Sequence, residues 1–421
     1  MRGNILMINN RGFFFVILFL LIGFYSRLIA QVEIKTLRVF ANDDEKNPPV
    51  LVYTEGQGDI LNIEFDVKSD GEPSLQIIFK FCDKEWYPYD NIFLKNFGHD
   101  VVHPNELFYT PTEITVKEAD YSYSGSFPNQ RSTVEFPFSG KWKFYITDGF
   151  DESKVFAEGK FIVLHDPLDI SADIKKETLE GSVYFPTDLG KIYNITANLI
   201  LPEGMPVFDV SSMEVIENFK LDYPYIVDKG NNNDRLHQYY YDGNRGFSFT
   251  TKEVRPGNEY RQVNLRDHKK FIAPNVNAQF EGLETSRFFV EGKKDLNGGS
   301  KLVEGPYGTY LNVSFRVRVP DEIRKKVFLV GSFTKWQVLP EFEMDNNNGL
   351  FSKTVQLKRG VYDYQYITGE IEDGLVKNID WYVLEGNTWA TSINYFVFIW
   401  YKDTDKGGYD RIIGYKKIVS K

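Results

Sequence analysis

The hydrophobic pattern of this chain is that of strands. Leu61-Asn62-Ile63-Glu64-Phe65-Asp66-Val67-Lys68 alternates apolar and polar at every step, and so does Val313-Ser314-Phe315-Arg316-Val317-Arg318-Val319. Lys141-Trp142-Lys143-Phe144 and Val355-Gln356-Leu357-Lys358 repeat the pattern over shorter spans, and Ile77 to Cys82 reads as a further strand. Successive side chains of a strand point to opposite faces, so this period buries one face and wets the other. Tyr395 to Tyr401 (YFVFIWY) is apolar at every position, which predicts a strand covered on both sides. No amphipathic helix emerges, and Asp321 to Lys326, after Pro320, has room for about one helical turn.

Turn residues separate these runs: Asp70-Gly71, Asn346-Asn347-Asn348-Gly349, Arg359-Gly360 and Asp373-Gly374. Short strands divided in this way predict all-β, tandem immunoglobulin-like sandwiches. Two breaks stand out. His165-Asp166-Pro167 follows the strand Lys160 to Leu164 and reads as a domain junction. Gly292 to Gly308 holds five glycines and Pro306 and reads as a linker or long loop. The expected organisation is a leader over 1–30, an N-terminal sandwich over 31–164 and a less regular middle β domain over 165–292. A linker over 293–308 and a C-terminal sandwich over 309–421 follow. Asn231-Asn232-Asn233-Asp234 is expected in an exposed loop. A membrane barrel would need a consistently apolar outward face. Glu64, Asp66, Lys68, Arg316 and Arg318 occupy the outward positions here, so packed sandwiches are the simpler reading.

The first 30 residues read as an export signal. Arg2 and Arg11 precede the apolar run Phe13 to Tyr25, which is shorter than the ~20 residues a spanning helix needs. Leu28-Ile29-Ala30 then offers a small residue before a cut, with Gln31 as the mature N-terminus. Loss of the leader removes three arginines and no acid, so the charge of −10 becomes −13. That balance excludes the basic face of a nucleic-acid binder. The mature chain is expected to be soluble in an exported compartment, without a lipid-spanning segment. At 16% the aromatic share is high and favours strands. The single cysteine, Cys82, allows no internal disulfide and no four-cysteine metal site.

Catalytic signatures are absent: there is no Gly-rich phosphate loop, no G-x-S-x-G and no H-E-x-x-H. His99-Asp100 and His103 have a spacing a metal site could use, but Pro104 follows and no helix gathers them, so a solvated loop is expected. Asp43-Asp44-Glu45 lacks the spacing of a calcium loop. Cys82 is expected to act as a small hydrophobe. No catalytic residue, metal or cofactor is expected.

Val327-Phe328-Leu329-Val330-Gly331-Ser332-Phe333-Thr334-Lys335-Trp336, then Asn348-Gly349-Leu350-Phe351 and Gly360 to Tyr366, resembles the early-Set sandwich of glycogen- and starch-binding modules. That resemblance implies an exposed tryptophan stacking on sugar rings, and Trp336 matches its position. Gln365 stands where such modules usually carry lysine, and no second tryptophan falls near Glu372 to Val376. These departures make it the simpler reading that Trp336 packs its own loop. A carbohydrate-binding exported protein is the second reading of the chain.

A longer series of motifs runs from about Ile34 to Gly414. It comprises Phe81-Cys82-Asp83-Lys84-Glu85-Trp86, Phe127-Pro128-Asn129, Ser139-Gly140, Pro256-Gly257-Asn258-Glu259-Tyr260-Arg261 and Val330 to Trp336. Glu385-Gly386 with Thr391 and Tyr395, and Tyr409-Asp410-Arg411-Ile412-Ile413-Gly414, complete it. In this order they resemble the plug family of the Bacteroidota type IX secretion system. The resemblance implies a non-enzymatic periplasmic protein that binds the outer-membrane translocon β-barrel and closes its periplasmic mouth. Contacts are then expected from exposed aromatics and arginines, where interface energy concentrates. Trp86, Arg261 and Arg411 are the candidates, each equally explicable as a support of the fold.

Overall fold

The computed structural model describes residues 32–95, 99–103, 107–128, 134–180, 189–230, 234–279, 284–285 and 295–420. The expected leader over 1–30, Asn129, the asparagines at 231–233, and Gly292 lie outside the described residues. Among the described residues every helix is a three-residue 3-10 turn and all other regular structure is strand, so the all-β expectation holds.

The first sandwich pairs two sheets. Sheet I runs Glu33–Ala41, Leu61–Lys68, Tyr121–Phe127, Thr110–Pro111. Sheet II runs Gln57–Gly58, Val50–Thr54, Val155–His165, Gly140–Asp148, Leu75–Cys82, Val101–His103. The alternation seen in the sequence sets the core. Ile63, Phe65 and Val67 point in from sheet I and meet Ile77, Phe79, Phe81, Trp142, Phe144 and Phe161 of sheet II. Cys82 is buried, and burial pushes its thiol up to about 12, so it is an inert part of the packing.

The second sandwich pairs sheet III with sheet IV. Sheet III runs Leu168–Asp169, Tyr409–Val419, Asn394–Asp403, Val210–Glu217, Tyr225–Asp228. Sheet IV runs Ser171–Thr178, Lys191–Ile200, Gly246–Val254, His237–Tyr241. The chain reaches sheet III through His165-Asp166-Pro167, where Asp166 takes a left-handed φ of 41°, so the expected junction is a crossing between sandwiches.

The expected unit over 309–421 is corrected here. Its last hairpin, Asn394–Asp403 with Tyr409–Val419, belongs to sheet III, with Val215 opposite Val397 and Met213 opposite Ile399. The reason is the apolar run itself. Tyr395, Val397, Ile399 and Tyr401 fill the core of the second sandwich. Phe396, Phe398 and Trp400 face the other way, against Val50, Ile162 and Leu164 of sheet II. A strand apolar on both faces needs two covers, and its place in sheet III, between sheets II and IV, supplies both.

The third sandwich is therefore an insertion between Val254 and Asn394. Sheet V is built on Gly360–Glu372, flanked by Arg261–Asn264, Ser300–Leu302, Lys326–Gly331 and Leu375–Asp380. Sheet VI runs Asn275–Asn277, Tyr310–Arg318, Leu350–Lys358, Asp345–Asn347, with Glu284–Thr285 also on Tyr310–Arg318. Asn348 and Gly349, both at positive φ, close the last hairpin, as do Asp373 and Gly374 in sheet V. Arg359-Gly360 is instead a corner where the chain passes from sheet VI to sheet V.

The Gly-rich stretch expected as a linker is packed into this sandwich over its described part. The Asp363 carboxylate accepts from the Leu296 and Gly298 amides at 2.6 and 3.0 Å, and Ser300–Leu302 pairs with Gly360–Glu372. Gly298 sits at φ 92°, and a Cβ there would meet the Trp336 indole at 3.1 Å.

The polar side of Leu61–Lys68 is not simply wetted. Asp66 is buried under the third sandwich, accepts from Ser122 and Tyr310 at 2.7 and 2.9 Å, and pairs with Lys358 at 3.0 Å. The outer face of sheet V is covered in turn: Phe328, Val330 and Ile367 pack with Phe219 and Tyr223 of the second sandwich.

Candidate docking surface

The motif Phe81 to Trp86 ends sheet II in a tight turn. The Asp83 carboxylate accepts from the amides of Glu85 at 3.0 Å and Tyr87 at 2.8 Å. Trp86 takes a left-handed φ of 70°, and this reverses the alternation. The Trp86 ring turns inward to the seam between sheets II and III, with the Lys141 ammonium 4.8 Å from its centroid. Tyr87 turns outward and is 70% exposed.

Asp410 anchors this turn to the second sandwich. Its carboxylate accepts from Tyr89 Oη at 3.1 Å and from Lys402 Nζ at 3.3 Å, and its amide donates to Tyr89 Oη at 2.8 Å. Asn91 donates to the Lys406 carbonyl at 2.7 Å. Lys84 reaches Asp228 at 3.1 Å. Burial alone would raise the Asp228 carboxyl, but the Gly230 amide and the Lys84 ammonium outweigh it and hold it below the usual carboxylate range. Burial would lower Lys84, and Asp228 reverses that and raises it. The turn Val207–Asp209 is tied in through Lys229, which donates to the Phe208 carbonyl, and through Tyr401, whose hydroxyl reaches Asp209 at 3.4 Å.

Each sandwich presents exposed apolar residues on the turns tied in this way: Tyr87, Ile92 and Phe93 on the first, Phe208 on the second, all more than half exposed. Arg411 lies on the same hairpin as Asp410. Its guanidinium is 38% exposed and 3.4 Å from Asp403. The arrangement offers aromatic rings and a partly free guanidinium held on a stiff base, the composition of an interface centre.

Of the residues singled out in the sequence, only Arg411 lies at this surface. Trp86 is buried in the seam. Arg261 is buried in the third sandwich, with Nε 2.9 Å from both Glu385 oxygens and Nη1 3.1 Å from Glu284. Burial disfavours its charge, but Glu385 and Glu284 more than offset that and keep the guanidinium ionised. Asn258 donates to the Glu385 carbonyl at 2.7 Å, so the motifs at 256–261 and 385–391 are two halves of one staple. Asp100 is paired with Lys80 at 3.3 Å and Lys95 at 3.7 Å. Tyr87, Ile92, Phe93 and Phe208 were missed. The turn-forming Asp83 was their one signal in the sequence.

Trp336 is corrected as a sugar-stacking residue. It is 1% exposed, its ring lies 4.4 Å from that of Tyr260, and Nε1 donates to the Gly298 carbonyl at 2.7 Å. Lys335 and Trp336 both take left-handed φ, 54° and 60°, and turn the indole under the Gly298 loop. A ring with no open face cannot stack on a sugar. Trp336→Phe keeps most of the packing but loses the N–H donor to a buried carbonyl. It is expected to cost about 1–2 kcal/mol in urea unfolding, and the wild type is expected to show no retardation in glucan affinity gels. Retardation that Trp336→Phe abolishes would reinstate the sugar reading.

Comparison with known proteins finds a family similarity in the first sandwich. Residues 34–165 match the Type 9 secretion system plug protein 1st domain. The match begins in the first strand of sheet I and ends with the last residue of Val155–His165, so it spans the first sandwich and supports the plug family. It covers about a third of the chain and includes Tyr87, Ile92 and Phe93. No curated protein matches the sequence. The crystal structure of a hypothetical protein from Parabacteroides merdae ATCC 43184 is similar over 93% of this chain and 98% of its own. Its TM-score is 0.71 at 18% identity, which establishes a shared fold over nearly the whole length. The segment similar to the plug first domain thus lies within a larger assembly of sandwiches.

Proposed function

We propose that this protein is a non-enzymatic periplasmic plug that binds the periplasmic mouth of the type IX translocon barrel and closes its pore. The match of residues 34–165 to the plug first domain carries the reading. The fold is suited to it. A stopper must hold its shape under a partner of comparable size. Sheets II and III share one apolar seam, which joins the first two sandwiches into a stiff block. Exposed Tyr87, Phe93 and Phe208, with the partly open guanidinium of Arg411, are the candidate contact residues.

Affinity purification of the translocon from native membranes is expected to recover the protein. The triple variant Tyr87→Ala, Phe93→Ala, Phe208→Ala is expected to keep the wild-type melting temperature and to be recovered at least tenfold less, about 1.4 kcal/mol or more of binding. Repeated absence of the expressed wild-type protein from the purified translocon would overturn the function. Full recovery of the triple variant would move the contact elsewhere.

A further inference from the structure

Six sheets present six outer faces, and their covering is uneven. Sheets II and III cover each other. The outer face of sheet V lies against Phe219 and Tyr223. That of sheet I carries Asp66, buried beneath Tyr310 and Lys358 of the third sandwich. Among the described residues sheet IV remains open, and sheet VI is reached from the first sandwich at Gln356, which accepts from Lys35. On sheet VI the outer face carries charge, with Arg316 and Arg318 exposed.

Sheet IV is different. Register places Thr196, Thr250 and Gln238 in one row across three strands, Asn198, Ser248 and Tyr240 in the next, and Ile200 beside Gly246 in the last. The inward positions Ala197, Leu199, Phe247 and Phe249 are core, so these rows face out. Asn198, Ile200, Gln238 and Tyr240 are exposed. None of the eight positions is charged, in a chain with 26% charged residues. Charge borders the patch, at Asp173, Lys175 and Glu177 on the flanking strand and at Lys252 in the next outward position of Gly246–Val254. The centres of protein interfaces lose Lys, Glu and Asp and gain Tyr, and antibody-type binding faces combine Tyr with Ser, Gly and Asn.

We propose that the outer face of sheet IV is a second docking face for the rim of the translocon barrel, and this rests on the plug reading above. Area decides between occupants. A strand spacing of ~4.8 Å and a rise of ~3.3 Å per residue give these three strands, over the five residues from Thr196 to Ile200, about 240 Å² of face. A standard stable interface takes about 800 Å² from each partner. Two copies joined through this face alone fall short of it. A partner already held at Tyr87, Phe93 and Phe208 does not need that area, because a linked second contact multiplies the first.

The test places charge on each of these two faces of the full-length protein: Gln238→Glu with Ser248→Glu on sheet IV, and Ser314→Glu with Ser352→Glu on sheet VI. Tyr240→Ala, at an exposed position, is the milder third variant. Recovery with the purified translocon, melting temperature and solution mass are read for each. The sheet IV pair and Tyr240→Ala are expected to lose tenfold and threefold in recovery at unchanged melting temperature, with the sheet VI pair equal to wild type. Wild-type recovery of both sheet IV variants overturns the second face and leaves the plug reading standing. A wild-type dimer split by the sheet IV pair also overturns it, since the face would then belong to a second copy. A wild-type protein that never accompanies the translocon removes the plug reading and the second face together.

Discussion

A chain ended at Ile393 is expected to lose the fold of its second sandwich and to expose the seam face of its first. Asn394–Asp403 lies between Val210–Glu217 and Tyr409–Val419 in sheet III, so its loss removes the centre of that sheet and leaves two pieces with unpaired edges. All seven residues from Tyr395 to Tyr401 are buried. At roughly 1.5–3 kcal/mol for each large apolar side chain, these alone contribute about 10–20 kcal/mol. That matches or exceeds the whole stability of a typical domain, about 5–15 kcal/mol. The truncated protein should bind hydrophobic dyes, lose the cooperative melt of residues 168–254 and be cut rapidly there by protease. A truncated chain that keeps a single cooperative transition at the wild-type temperature would contradict the placement of the hairpin.

Removing either member of the Lys141–Glu214 pair should destabilise the junction of the first two sandwiches by about 3–5 kcal/mol. The two groups are 2.7 Å apart and each side chain is 2% exposed. Every polar atom of the pair is used: Lys141 also donates to the Lys84 carbonyl at 2.6 Å, and Glu214 accepts from Trp400 Nε1 at 2.7 Å. Glu214→Leu leaves an ammonium in a seam of Trp86, Trp400, Ile162 and Phe398, where no water can replace the lost carboxylate. The double variant Lys141→Met, Glu214→Leu puts two apolar groups in the same space and should recover most of the loss. Urea unfolding of the two single variants and the double variant measures this cycle. Additive losses in the double variant would show that the two groups act independently.

The strands of the chain were legible because one face of each is dry, and the period of two records that directly. Leu61–Lys68 and Tyr310–Arg318 are found where alternation puts them. Tyr395 to Tyr401 was legible as doubly covered, but its covers were not. Sequence order joins it to the third sandwich, whereas burial joins it to the second and first. The two tryptophans could be read from the sequence as packed or as exposed, for a shared reason. Trp86 and Trp336 sit at left-handed backbone positions, 70° and 60°, each at the end of a tight turn, and there alternation no longer tells inside from outside. Arg261 could be read as contact or as fold support because its partners, Glu284 and Glu385, lie 23 and 124 residues away. Arg411 survives at the surface because its one acidic partner, Asp403, leaves part of the guanidinium open.

The nesting of the third sandwich inside the second governs the order in which the molecule can be completed. A polypeptide delivered from its N-terminus can finish the first sandwich as soon as residue 165 is out, and the third once residue 385 has followed. The second must wait, since its central strand arrives among the last thirty residues. Until then Val210–Glu217 offers an open edge and an apolar flank to whatever is nearby, a state that invites aggregation. Maturation of this protein is thus a race between the arrival of its own tail and capture by a stranger, and a holdase that shields that edge would decide the yield.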